Sequence, residues 1–92
     1  MIRSFSCKAT EALFHSKPSV RFKSIERLVR RKLLQIHAAT VLLDLRVPPG
    51  NMLEALHRSR KGQYSIRINN QWRICFIWKE DGAHNVEIVD YH

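Results

Sequence analysis

Ninety-two residues make one domain with a single core and no room for a large internal pocket. Hydrophobic residues form 45% of the chain, which excludes compositional disorder, and no apolar run approaches the ~18 residues of a membrane span. Sixteen Lys and Arg against eight Asp and Glu give a net charge of +8, which favours a polyanionic or acidic partner, with nucleic acid first.

The charge is uneven. Residues 1–46 hold ten basic and three acidic groups, and residues 47–92 hold six and five. The opening MIRSFSCKAT lacks the apolar stretch of a signal peptide, so a soluble, cytoplasmic protein with no membrane contact is expected. Cys7 and Cys75 lie in strand-like runs and are expected as buried thiols. CxxC, HxxH and HExxH spacings are absent, so a structural zinc site has no support.

In chain order, IRSFSC (2–7) alternates weakly and reads as a short strand. KATEALFHS (8–16) reads as a short helix, closed by Pro18. SIERLVRRKLLQIHA (24–38) is the clearest helix, with Ile25, Leu28, Val29, Leu33 and Ile36 in one apolar stripe. Ser24 is its expected N-cap, and Arg27, Arg30, Arg31 and Lys32 are expected on its surface. That basic run serves either as a solvated face or as a partner-binding face. Pro48, Pro49 and Gly50 turn the chain out of the helical layer.

The rest reads as β-structure. MLEAL (52–56) is a short strand and HRSRKG (57–62) a basic loop. QYSIRIN (63–69), QWRICFIW (71–78) and NVEIVDYH (85–92) are strands, with Asp81-Gly82 as a hairpin turn. The fold class is α+β: two N-terminal helices on one face of a small, mostly antiparallel sheet. Trp72 and Trp78 share parity with Ile74 and Phe76 and are expected in the core. His15 and His37 are expected as structural residues and His84 as incidental.

The hairpin at Asn69-Asn70 admits two registers. A two-residue loop mixes apolar and charged residues on each face. A three-residue loop, 69–71, sets Ile68 against Trp72, Ile66 against Ile74 and Tyr64 against Phe76, which makes one face uniformly apolar. Asn tolerates the left-handed conformation such a loop often requires. This second register places Arg67 opposite Arg73 on the other face. Like charges so placed repel. Either each finds an acidic neighbour such as Glu87, or the face is an anion site. With Arg58, Arg60 and Lys61 leading into the hairpin, the anion site is the preferred reading.

The stretches MIRSF, PPGN (48–51), GQYSIRINNQWRICF (62–76) and VEIVDYH (86–92) carry a resemblance over the whole chain. It resembles the HigB-type toxins of the RelE/ParE toxin–antitoxin superfamily. That resemblance implies a curved antiparallel sheet with helices on one side. It implies cleavage of mRNA in the ribosomal decoding site, with no metal and no cofactor. It also implies neutralisation by a HigA-like helix-turn-helix antitoxin, whose complex with the toxin represses operator DNA. Arg73 sits where the family binds the scissile phosphate, and Tyr91 and His92 sit where it carries a catalytic tyrosine and a terminal histidine. In LEALHRSRKG, Glu54 and His57 stand where better-known members have a histidine and a lysine. Glu54 cannot replace a histidine as a phosphate ligand, so cleavage is expected to be slower or differently organised.

RNA cleavage without a metal needs a base for the 2′-hydroxyl, a cation for the pentacoordinate phosphorus and an acid for the leaving oxygen. Arg73 fits the cation role, because its planar fork grips phosphate bidentately. His57 and His92 fit the proton-transfer roles, with His92 favoured as the acid because the terminal carboxylate supports its imidazolium. Tyr91 would hydrogen-bond phosphate or stack on a base. Arg60, Lys61 and Arg67 would contact the RNA backbone. Two other functions compete: a ParE-like gyrase poison, and a module that acts mainly as a co-repressor with its antitoxin. Strict alternation sends Tyr91 and His92 to opposite faces, so both are expected to leave regular pairing and curl towards Arg73.

Overall fold

A computed structural model of the protein describes residues 1–90. Helix α1 spans Lys8–Phe14 and helix α2 spans Glu26–Ala38. The apolar stripe of α2 is buried at Val29, Leu33 and Ile36, while Ile25 and Leu28 pack at its margin. Ser24 does not cap the helix. A 3-10 turn over Lys23–Ile25 absorbs it, and Ile25 takes the N-cap position without a side-chain bond. Glu26 instead accepts a hydrogen bond from the Ser19 N–H at 2.9 Å.

The basic face of α2 is also not uniform. Arg27 and Arg31 are exposed. Arg30 donates to the carbonyls of Leu13 and Lys17, both at 3.1 Å, and so ties α2 to the end of α1 and the turn after it. Lys32 is buried, contrary to its expected place on the surface, because its ammonium is drawn to the buried amide of Asn51.

Four strands follow: β1 Glu54–Ala55, β2 Gln63–Arg67, β3 Trp72–Lys79 and β4 Gly82–Asp90. They form one antiparallel sheet in the order β1–β2–β3–β4. β2 and β3 adopt the three-residue-loop register: Tyr64 faces Phe76, Ile66 faces Ile74 and Arg67 faces Arg73. The Ile68 N–H bonds the Trp72 carbonyl at 2.9 Å. The loop does not depend on a left-handed Asn. Positive φ among non-glycine described residues occurs at Ser16, Met52, Arg58 and Asn85. Asn69 closes the loop with its side chain, which accepts from the N–H groups of Gln71 and Trp72, both at 2.9 Å.

β4 begins earlier than expected. Lys79 pairs with Gly82, so the hairpin loop is Glu80-Asp81 and Gly82 lies just after it at φ 128°. Glycine is required there: a Cβ would stand 1.9 Å from the Met1 carbonyl oxygen. An irregularity then sets Ile77 against His84 but Cys75 against Glu87, with Asn85 at φ 54°. This bulge changes the phase of β4 and lets Ala83, Val86 and Ile88 all face the core.

Residues 2–7 do not form a strand. Ile2 and Phe5 make isolated parallel bridges to Ala83 and Val86, because the bulge between those partners interrupts the ladder. The segment still covers the outer edge of β4, and the Thr10 hydroxyl extends that cover by accepting from the Ile88 N–H at 3.1 Å. Cys7 accordingly precedes α1 as a half-buried residue, while Cys75 is buried, and both are free thiols.

Leu13 of α1 and Val29, Leu33 and Ile36 of α2 share one core cluster with Ile66, Ile74, Phe76, Val86 and Ile88 of the sheet. Phe22, from the connection before α2, completes it and meets Trp72 edge-on at 5.2 Å. Trp72 and Trp78 pack against this cluster, as their parity predicts. His37 is structural, accepting from the Ile2 N–H at 3.1 Å, and His84 pairs locally with Asp81 at 2.7 Å. Among the described residues, no helix is long and apolar enough to cross a membrane.

Candidate functional site

The register that buries Ile66 and Ile74 turns Ser65, Arg67, Arg73 and Cys75 to the opposite face. That face is charged, as expected, but it is not open. Ser65 and Cys75 are fully buried, and Arg73 retains only 6% of its accessible surface. β1 extends the sheet beside β2, and the Met52 carbonyl and the Arg60 side chain come onto this face against Arg73 and Glu87.

Arg73 is held on several sides. Its Nε donates to the Ser65 hydroxyl at 2.7 Å, and its Nη2 donates to the Met52 carbonyl at 2.7 Å. The Glu54 carboxylate lies 3.7 Å from Nη2, with about half of its side chain exposed. Glu54 is therefore an acidic neighbour of Arg73, whereas Glu87 takes Arg60 at 2.8 Å. Arg67 faces Arg73 across the strands but turns its guanidinium to Asn70. Separate partners thus relieve the like-charge juxtaposition.

The basic loop contributes unevenly. A 3-10 turn spans Arg58–Arg60, and Gly62 follows at φ 92°. Arg60 is half-buried between Gln63 Oε1 at 3.0 Å and Glu87 Oε1 at 2.8 Å. Lys61 and Arg58 are exposed. His57 is exposed at the start of the turn, next to buried Leu56. Burial pushes the Cys75 thiol up and leaves it neutral between Arg73 and Arg60. Among the described residues, no three His, Cys, Asp or Glu side chains gather as a metal-binding group.

The structure brings Arg73, Glu54 and Arg67 together across β1, β2 and β3, with Arg60 on the same side against Glu87. The expected curl of Tyr91 and His92 lies outside the described residues. Sequence reasoning overlooked Ser65 and the Met52 carbonyl. Ser65 was within reach of it, because the chosen register sets it diagonally beside Arg73. The carbonyl is a backbone group and leaves no signal in the sequence.

This fold recurs in solved structures. YafQ from E. coli strain BL21(DE3) superposes with a TM-score of 0.63 at 15% identity, covering 98% of this chain and 91% of that one. The YoeB–YefM complex from Staphylococcus aureus gives 0.63 at 20% identity, covering 100% and 95%. The class is therefore an α+β domain with the fold that these two structures share. More narrowly, residues 4–92 match the family described as "RelE-like toxin of type II toxin-antitoxin system HigB", and the chain belongs to that HigB-like toxin family. Toxin HigB-1 of Vibrio cholerae serotype O1 is 47% identical over 62 residues, 67% of this chain and 65% of that protein. The chain thus spans just under two thirds of that relative's length. An uncharacterized protein of Haemophilus influenzae is 38% identical over 73 residues, 78% of this chain and 68% of that one.

Proposed function

We propose that this toxin is a ribosome-dependent, metal-independent mRNA endoribonuclease that arrests translation and growth. The observation that carries the reading is Arg73. A permanent cation is fixed by Ser65 and Met52 on the sheet face away from the core, with Arg67 opposite and exposed Lys61 on the adjoining basic loop. A donor fixed before substrate arrives is what stabilisation of a pentacoordinate phosphate requires.

In this reading Arg73 receives the scissile phosphate and Glu54 yields its place beside the guanidinium. His92 protonates the leaving oxygen, and His57 moves the other proton or adds positive charge. Tyr91 orients the 2′-hydroxyl or stacks on a base. Lys61, Arg67 and Arg60 grip the RNA backbone, and Arg60 does so while paired with Glu87. A HigA-like helix-turn-helix antitoxin neutralises the toxin, and their complex binds operator DNA. The toxin acts in the cytoplasm.

Growth and mRNA 5′ ends test this together. Arg73→Ala and deletion of His92 should each relieve growth arrest at equal expression with the fold retained. Wild-type toxin should leave codon-phased cuts. Toxicity that survives both changes overturns the site, and DNA breaks without phased cuts point to a gyrase poison instead.

A further inference from the structure

The PPGN turn runs directly into Met52, whose carbonyl receives Arg73, and it is built to a tight specification. Asn51 is completely buried and its amide is fully engaged. Its Nδ2 donates to Gln35 Oε1 at 3.0 Å, to the Leu45 carbonyl at 3.1 Å and to the Val47 carbonyl at 3.4 Å. Its Oδ1 accepts from Lys32 Nζ at 2.5 Å. Lys32 is itself buried, at 7% exposure, in the middle of α2. Burying an ammonium is costly unless something is gained from its position.

The next residue shows what is gained. Met52 adopts the left-handed conformation, φ 46° and ψ 54°, which a methionine disfavours and its surroundings must impose. The Met52 N–H bonds the Pro49 carbonyl at 3.1 Å, and the Met52 carbonyl receives the Arg73 guanidinium at 2.7 Å. A continuous chain of contacts therefore runs from α2 through Lys32, Asn51 and Met52 to Arg73.

We propose that Asn51, clamped by Lys32, is a positioning residue for Arg73: it locks Met52 in the left-handed conformation that aims its carbonyl at the guanidinium. The inference rests on the reading that Arg73 binds the scissile phosphate. The clamp touches no RNA. It removes the freedom of Arg73 to swing, so the cation stands in place before substrate arrives.

Lys32→Met keeps the apolar stem and removes the donor. Single-turnover cleavage on programmed ribosomes should fall by about 10- to 100-fold in kcat with ribosome affinity unchanged, as for a misplaced catalytic group. The Arg73 Nε–H resonance should shift in the free toxin. In an Arg73→Ala background, Lys32→Met should cost nothing further. Gln35→Ala removes only one acceptor of Asn51; it should give a smaller shift of the same resonance and supplies the test if Lys32→Met does not fold. An unmoved Arg73 resonance in the folded variants overturns the proposal. So does an equal loss with and without Arg73. If Arg73→Ala cleaves like the wild type, the phosphate reading fails, and the resonance still decides whether the clamp positions Arg73.

Discussion

Arg73 and Ser65 are joined diagonally across β2 and β3, the guanidinium Nε donating to the hydroxyl at 2.7 Å with both side chains buried. Ser65 is therefore a holder of the cation and not a filler of the sheet. Ser65→Ala leaves a charged donor with one fewer acceptor in a place water barely reaches. It should destabilise the domain by about 1–3 kcal/mol and slow cleavage, because Arg73 keeps its charge but loses its aim. Thermal unfolding and single-turnover cleavage check the two parts. A variant with unchanged melting and unchanged rate removes Ser65 from the account.

Glu54 stands 3.7 Å from Arg73 and is half exposed, so it competes with an incoming phosphate for the same guanidinium. Arg73 is buried but the Glu54 carboxylate keeps much of its water, so the pair contributes little more than a surface one, about 1 kcal/mol. Glu54→Gln should therefore tighten binding of a short single-stranded RNA at low salt, by no more than about 5-fold. Anisotropy titration measures it. Weaker binding in the variant gives the opposite role, in which Glu54 organises Arg73 for RNA.

How much of this was legible follows from where each signal resides. The register of β2 and β3 was legible because Tyr64, Ile66, Ile74 and Phe76 allow only one pairing with a uniform face. That same parity put Arg67 opposite Arg73. Helix α2 was legible from Val29, Leu33 and Ile36, but Lys32 was misread, since its fate depends on Asn51, nineteen residues away in the chain. Phe22 lies in a segment without periodicity, so nothing marked it as core. The cover over Arg73 was hidden because it includes the carbonyl of Met52, and backbone atoms carry no sequence.

Asp44 gives the stability a definite pH dependence. Its carboxylate accepts from the Thr40 N–H at 2.9 Å, the Thr40 hydroxyl at 3.1 Å and the Val41 N–H at 3.2 Å. These bonds, the Thr40 N–H first, hold its pKa below the ordinary 3.8. A depressed folded pKa means the folded state binds this proton less readily than the unfolded chain. The stabilisation is thus fully present above 3.8 and is lost as pH falls through the lower folded value. Asp44→Asn should lower the melting temperature near neutral pH, and the gap from the wild type should close in acid. A gap that stays constant through that range would sink the assignment.

Arg60 and Glu87 raise the opposite question, whether a paired cation still serves RNA. Their contact at 2.8 Å is partly buried, and Arg60 is also held by Gln63, so the guanidinium is placed but its charge is largely answered. Removing the carboxylate should release that charge without moving its holder. Glu87→Gln is expected to strengthen RNA binding and to steepen the plot of log affinity against log salt by about one phosphate contact. Arg60→Ala should flatten the same plot by less than Lys61→Ala, because exposed Lys61 meets no carboxylate within ion-pair distance among the described residues. The salt slope separates this from a packing effect: a change in affinity at constant slope would mean that Glu87 only shapes the loop, and that Arg60 is a structural residue of the sheet.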